Sequence, residues 1–108
     1  MRLLLERDAR RAREREEARL VIRSRLREAL SVLCPGRETF VFGSITRAGK
    51  FFRRSDVDIA FEQLPGEVSP YGLASLLEEK IGRPIDLVLL GESRLREKIR
   101  AEAERWIV

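Results

Sequence analysis

Histidine is missing from the sequence altogether, and cysteine, tryptophan and tyrosine occur once each. Each shortage closes a class of chemistry. The lone thiol, Cys34, has no partner for a disulfide within the chain. Without imidazole there is no Ser–His or Cys–His nucleophile pair, and no zinc site of ordinary ligand composition. No apolar run approaches the ~20 residues of a bilayer-spanning helix. The opening "MRLLLERDARR" passes from three leucines straight into charge, unlike the apolar core and small-residue cleavage site of a secretory signal. The expectation is a soluble, cytoplasmic protein without a membrane span. Chemistry is left to carboxylates, hydroxyls, backbone amides and basic side chains.

Charge is what the chain has in quantity: 37% of its 108 residues are Asp, Glu, Lys or Arg, with a net charge of +4. Residues 1–37 hold 11 Arg and 6 acids, so the remainder is close to neutral and the basic excess belongs to the amino-terminal segment. The length supports one modest core but not a separate substrate-binding domain. A large acceptor would have to be presented by a partner.

Residues 2–33 contain no Gly or Pro and read as one long helix, stopped by "CPG" at 34–36. Ala18, Ile22, Leu26, Ala29 and Leu33 recur at three and four residues and form a core-facing stripe. Before Ala18 there is no such stripe, and pairs such as Glu6 with Arg10 and Arg13 with Glu17 stand at helical spacing. Residues 1–17 are therefore assigned to a charged helical extension and 18–108 to the domain proper. The extension's arginines fit either a solvated, salt-bridged face or an arm for nucleic acid or a partner, and Leu3, Leu4 and Leu5 at its far end suggest docking. Strands are predicted over 38–44, 55–64 and 83–90, with a helix between the last two capped by Ser69, Pro70 and Gly82. "ESRLREKIRAEAERWIV", residues 92–108, places Leu95, Ile99, Ala103 and Trp106 on one face and predicts a closing helix. The class is α+β: a small mixed sheet with helices packed against it and a long amino-terminal helix.

The chemistry concentrates in "VFGSITRAGKFFRRSDVDIAF", residues 41–61. In an extended strand Asp56 and Asp58 share a face, about 7 Å apart along the chain, while Val57 and Ile59 face the core. Two such carboxylates repel unless a cation lies between them, and Mg2+ is the natural candidate, since it takes oxygen ligands and is completed by substrate phosphates. Asp86 stands alone in the apolar run "RPIDLVLL", where an unpaired charge is costly. If its strand lies beside that of Asp56 and Asp58, all three acids serve one metal site. Gly43 would let the backbone approach a phosphate, and Ser44 would offer a hydroxyl and an amide. Arg47, Lys50, Arg53 and Arg54 lie in the same connection, within reach of phosphates.

These three separated elements resemble the minimal nucleotidyltransferases of the DNA polymerase β superfamily, over about residues 18–108. Their pattern is a hydrophobic residue, Gly-Ser, a spacer, Asp-hydrophobic-Asp, and a later Asp on a neighbouring strand. The resemblance implies the α/β-type nucleotidyltransferase fold. Gly43 and Ser44 match the phosphate-binding pair, with Arg47 and Lys50 as further phosphate contacts, and Asp56, Asp58 and Asp86 match the catalytic metal ligands, two Mg2+ ions being usual. The spacer departs from the family's pattern: it has eleven residues, and "ITRAG" follows Gly-Ser. Family members of this size commonly act as antitoxins of helical HEPN ribonuclease toxins, transferring AMP from ATP to a tyrosine of that partner. The resemblance thus implies ATP or another nucleoside triphosphate as donor and a HEPN-type protein as partner. Two other classes stay open: an antitoxin acting by contact alone, and a transferase acting on RNA, which the mixed signs of the amino-terminal helix disfavour.

Overall fold

The computed structural model describes residues 2–108. Helix α1 (Arg2–Leu33) is unbroken over 32 residues and stops at Cys34, after which Gly36 turns the chain with a left-handed φ of 71°. Strand β1 (Glu38–Phe42) follows, then one 3-10 turn (Gly43–Thr46) and an irregular connection to β2 (Val57–Phe61). Helix α2 (Pro70–Ile81) has the predicted caps: Ser69 Oγ accepts from Gly72 N at 3.0 Å, Pro70 opens it, and Gly82 closes it at φ 74°. Strand β3 (Ile85–Leu89), helix α3 (Arg96–Glu102) and strand β4 (Glu104–Ile107) complete the chain.

The class is α+β, with one four-stranded mixed sheet in the order β3-β2-β1-β4. β1 runs antiparallel to both β2 and β4, and β2 runs parallel to β3. Helices α1 and α2 cover one face. Ile22, Leu26 and Leu30 of α1 and Leu73, Leu77 and Ile81 of α2 pack there on Val41, Ile59 and Phe61. The other face carries a smaller cluster of Phe40, Ala60, Leu90 and Ile99, with α3 lying over only part of it. By strand alternation Asp58 and Asp86 belong to this second, partly open face.

The carboxyl-terminal segment departs from the expected closing helix. Only seven residues are helical, and 104–107 add a strand to the free side of β1, with Trp106 opposite Thr39. The unpaired N–H and C=O groups of β1 reward a strand, and "RWIV" is rich in strand formers. Trp106 is 4% exposed and lies beneath the guanidiniums of Arg23 and Arg27, 5.2 and 4.5 Å from its ring centre.

Along α1, Ile22, Leu26 and Ala29 are buried as the stripe predicts and Leu33 is half-buried, whereas Ala18 is exposed and Leu30 is buried. Glu6 pairs with Arg2 at 3.6 Å instead of with Arg10. The first half of α1 projects from the body, giving the molecule extents of 55 × 28 × 20 Å. Among the described residues no helix is long and apolar enough to cross a membrane.

Candidate functional site

The β2–β3 register sets Asp58 directly beside Asp86. Both strands are parallel, so both side chains leave the same face of the sheet. Asp58 is half-buried and its carboxyl titrates at about 6, well above its ordinary 3.8. Burial is the main cause, followed by the charges of Asp86 and Asp56 and a hydrogen bond with Asp86, all of which favour the protonated form. Asp56 is exposed and stands just before β2, acting on Asp58 through its charge. Among the described residues none of the three forms an ion pair with Lys or Arg. Nor are any three acidic, cysteine or histidine side chains gathered tightly enough to hold a cation as they stand. What the fold brings together is a carboxylate pair with a third acid at its margin.

The Gly43 turn abuts that pair. Gly43 has φ 75°, and a methyl group built on it would overlap the Asp58 carboxylate, lying 3.1 Å from Cγ. Only glycine suits both the conformation and the space. The turn is closed by Thr46 Oγ1 donating to Gly43 O at 2.7 Å and by Arg47 N donating to Ser44 O at 3.1 Å. Ser44 is half-buried in its first residues. Helix α1 holds the turn from behind. Arg19 and Arg23 both donate to Ile45 O, at 2.9 and 3.4 Å, and Glu16 accepts from Gly49 N at 3.3 Å. Arg23 is itself fixed by a two-pronged pair with Glu104 of β4, at 3.0 and 2.8 Å. That pairing, with a hydrogen bond from Trp106, holds the Glu104 carboxyl below its ordinary range against the opposing effect of burial.

A cleft of about 210 Å³ opens between the Gly43 turn and α3, lined by Phe42, Gly43, Arg47, Lys98 and Ile99 among others. Arg47 shares this cleft with Gly43, the residue that abuts Asp58, while the three acids do not line it. Lys50 is exposed farther along the connection, its amide donating to Arg47 O at 3.1 Å. On the opposite side, Arg83 secures the approach to β2. Its Nη2 donates to Phe52 O and Ser55 O, each at 2.7 Å, and its guanidinium lies 4.3 Å from the centre of the Phe51 ring. Burial lowers the Arg83 pKa, and the neighbouring charge of Asp56 opposes that shift.

Sequence reasoning located the acids and Gly43 but not Lys98, Arg83 or the Arg19–Arg23 clamp. Lys98 falls within the expected closing helix, whose docking against the glycine turn has no local signal. Nothing in the sequence marks Arg19 and Arg23 for this role, because their shared acceptor, the Ile45 carbonyl, lies more than twenty residues away. Arg83 left one hint: it precedes Pro84 at the start of an apolar strand, where a charged residue must find a polar partner nearby.

A carboxylate pair beside a glycine turn, with basic side chains at the rim, can hold hard cations and a polyphosphate together. No family model matches the chain, and no curated protein matches it significantly. Among solved structures, one described as "Crystal structure of the toxin-antitoxin with AMP-PNP" superimposes with a TM-score of 0.60. The two are 23% identical, over 79% of this chain and 73% of that one. At this level of identity the likeness establishes a shared fold.

Proposed function

We propose that this chain is a metal-dependent nucleotidyltransferase that moves AMP from ATP to a hydroxyl of a partner protein, acting as the antitoxin of a HEPN-type ribonuclease. The observation that carries this reading is the register of Asp58 beside Asp86 with Gly43 pressed against Asp58. An acid pair with one half-buried member and no basic partner is electrostatically unfavourable in isolation, and a cation relieves it. Its donor set is all oxygen, which suits magnesium. Asp58 and Asp86 would hold the metal, and Asp56, one residue outside β2, would complete the set. Two magnesium ions, when bound, would neutralise the triphosphate and stabilise charge on the transferred phosphoryl and the leaving pyrophosphate.

The chain's own residues do the rest. The Gly43–Ser44 turn offers a close backbone approach and a hydroxyl to the phosphates, and Arg47 and Lys98 add positive charge at the rim. In the transfer the acceptor oxygen forms a bond to the α-phosphorus, the bond from that phosphorus to the oxygen bridging to the β-phosphate breaks, and pyrophosphate leaves. Asp86, the more exposed of the pair, would take the acceptor's proton. The partner supplies the hydroxyl. The structural likeness to a toxin–antitoxin structure with AMP-PNP supports both the nucleotide and the partnership.

Co-expression of the chain with candidate partner proteins, read by intact mass, tests the proposal. The native chain should add one or more AMP units to its partner, and an Asp56→Ala, Asp58→Ala chain should add none. A stable complex without any mass change would instead establish neutralisation by contact.

A further inference from the structure

A second cleft, of about 460 Å³, lies on the α1 side of the 51–56 approach, apart from the Gly43 turn. Arg11 and Arg15 of α1 form one wall, and Phe51, Phe52, Arg53 and Arg83 form the other. Glu14 is the one acid lining it, and among the described residues none of the four arginines forms an ion pair with a carboxylate. Two guanidiniums instead lie over rings: Arg15 is 5.3 Å from the centre of Phe52 and Arg83 is 4.3 Å from that of Phe51. Phe52 is 50% exposed, so part of its ring faces solvent.

We propose that this cleft binds single-stranded nucleic acid. The guanidiniums of Arg11, Arg15 and Arg53, which have no carboxylate partner among the described residues, suit backbone phosphates, and the exposed part of the Phe52 ring suits a stacked base. The apolar lining decides against an acidic peptide, because beyond the two phenyl rings it offers only the methyl of Ala18 and no aliphatic pocket for a side chain. The basic wall also continues outward. Although acids such as Asp8 and Glu14 are mixed through this part of α1, Arg7, Arg11 and Arg15 recur at four-residue intervals as one row, a rail of roughly 12 Å at the helical rise, about the span of two nucleotides. The site uses none of the carboxylates assigned above, so it stands or falls separately from nucleotidyl transfer.

The test is fluorescence anisotropy of a labelled twelve-nucleotide oligouridylate with the full chain, in EDTA so that no divalent cation engages Asp58 and Asp86. Saturable binding that weakens steeply with added salt is expected. Arg11→Glu and Arg53→Glu, both at exposed positions without a hydrogen bond or ion pair of their own, should each weaken binding at least fivefold, whereas Arg94→Glu, an equal charge change outside the cleft, should leave it within twofold. Phe52→Ala should cost roughly fivefold to a hundredfold, the loss of one stacked base, with little change in salt dependence. No binding by the native chain, equal losses from Arg94→Glu and the cleft variants, or an unaffected Phe52→Ala chain would each overturn the proposal. So would oligoglutamate binding the cleft as tightly as the oligonucleotide.

Discussion

At the scale of single residues, Asp58 is the most strained group chemically. Its folded carboxyl holds a proton up to about pH 6, against an ordinary 3.8, so the folded state binds that proton more tightly than the unfolded chain does. The consequence has a definite sign: Asp58 favours the fold below about pH 4, and this contribution is lost as pH rises through 6. At neutral pH and without a divalent cation, Asp58→Asn should therefore raise stability, by on the order of 1 kcal/mol once solvent screening is allowed for. The gain should vanish below about pH 4. Adding Mg2+ should stabilise the native chain more than the variant, and thermal melting across pH, with and without the ion, reads both effects. Gly43→Ala should do the opposite of a harmless methyl addition. It forces a side chain into the left-handed region and against Asp58, so a loss of about 1–3 kcal/mol and abolition of transfer are expected, measurable by denaturant melting and by mass shift of the partner.

At the scale of elements, β4 is the piece that ties the sheet to α1. Trp106 fills the sheet face beneath Arg23 and Arg27, and its indole N–H donates to Glu104 at 3.0 Å. Glu104 in turn grips Arg23, which holds the Ile45 carbonyl of the glycine turn. Trp106→Ala should cost about 3–5 kcal/mol in chemical denaturation, the range for removing a buried aromatic. It should also loosen the Gly43 turn, so that hydrogen exchange at Ile45 and Thr46 rises along with the global opening rate. The element boundaries show how far sequence carries. α2 was legible because Ser69, Pro70 and Gly82 mark both ends locally, and β2 was legible from its alternating apolar residues. β4 is hidden in the sequence because Leu95, Ile99, Ala103 and Trp106 continue a helical stripe, while the free edge of β1 that recruits residues 104–107 exists only after the sheet forms. The competing signal is the run of strand formers Trp106, Ile107 and Val108.

At the scale of the whole molecule, the chain is a small sheet domain with a lever. Among the described residues, the first hydrogen bond tying α1 to the body comes from Glu16, and residues 2–10 stand clear of it. Removing residues 1–10 should change the melting temperature by no more than a few degrees, because those residues bury nothing of the core. If Leu3, Leu4 and Leu5 dock a partner, the same truncation should weaken the complex at least tenfold by calorimetry while nucleotide binding stays unchanged. Equal affinity would remove the docking role of the extension.

The sequence by itself determined the class of chemistry and the elements that carry it. The absence of histidine and paired cysteine left carboxylates as the available ligands, and hydrophobic periodicity with local caps set most of the helices and strands, because those signals depend on neighbours within a few residues. The tertiary structure alone decided which acids meet. A parallel register between strands more than twenty residues apart puts Asp86 beside Asp58, leaves Asp56 at the margin, and turns α1 arginines into clamps on the glycine turn. Pairing and burial are properties of the assembled sheet, and no spacing along the chain encodes which edge a strand will join or which carbonyl a long side chain will reach.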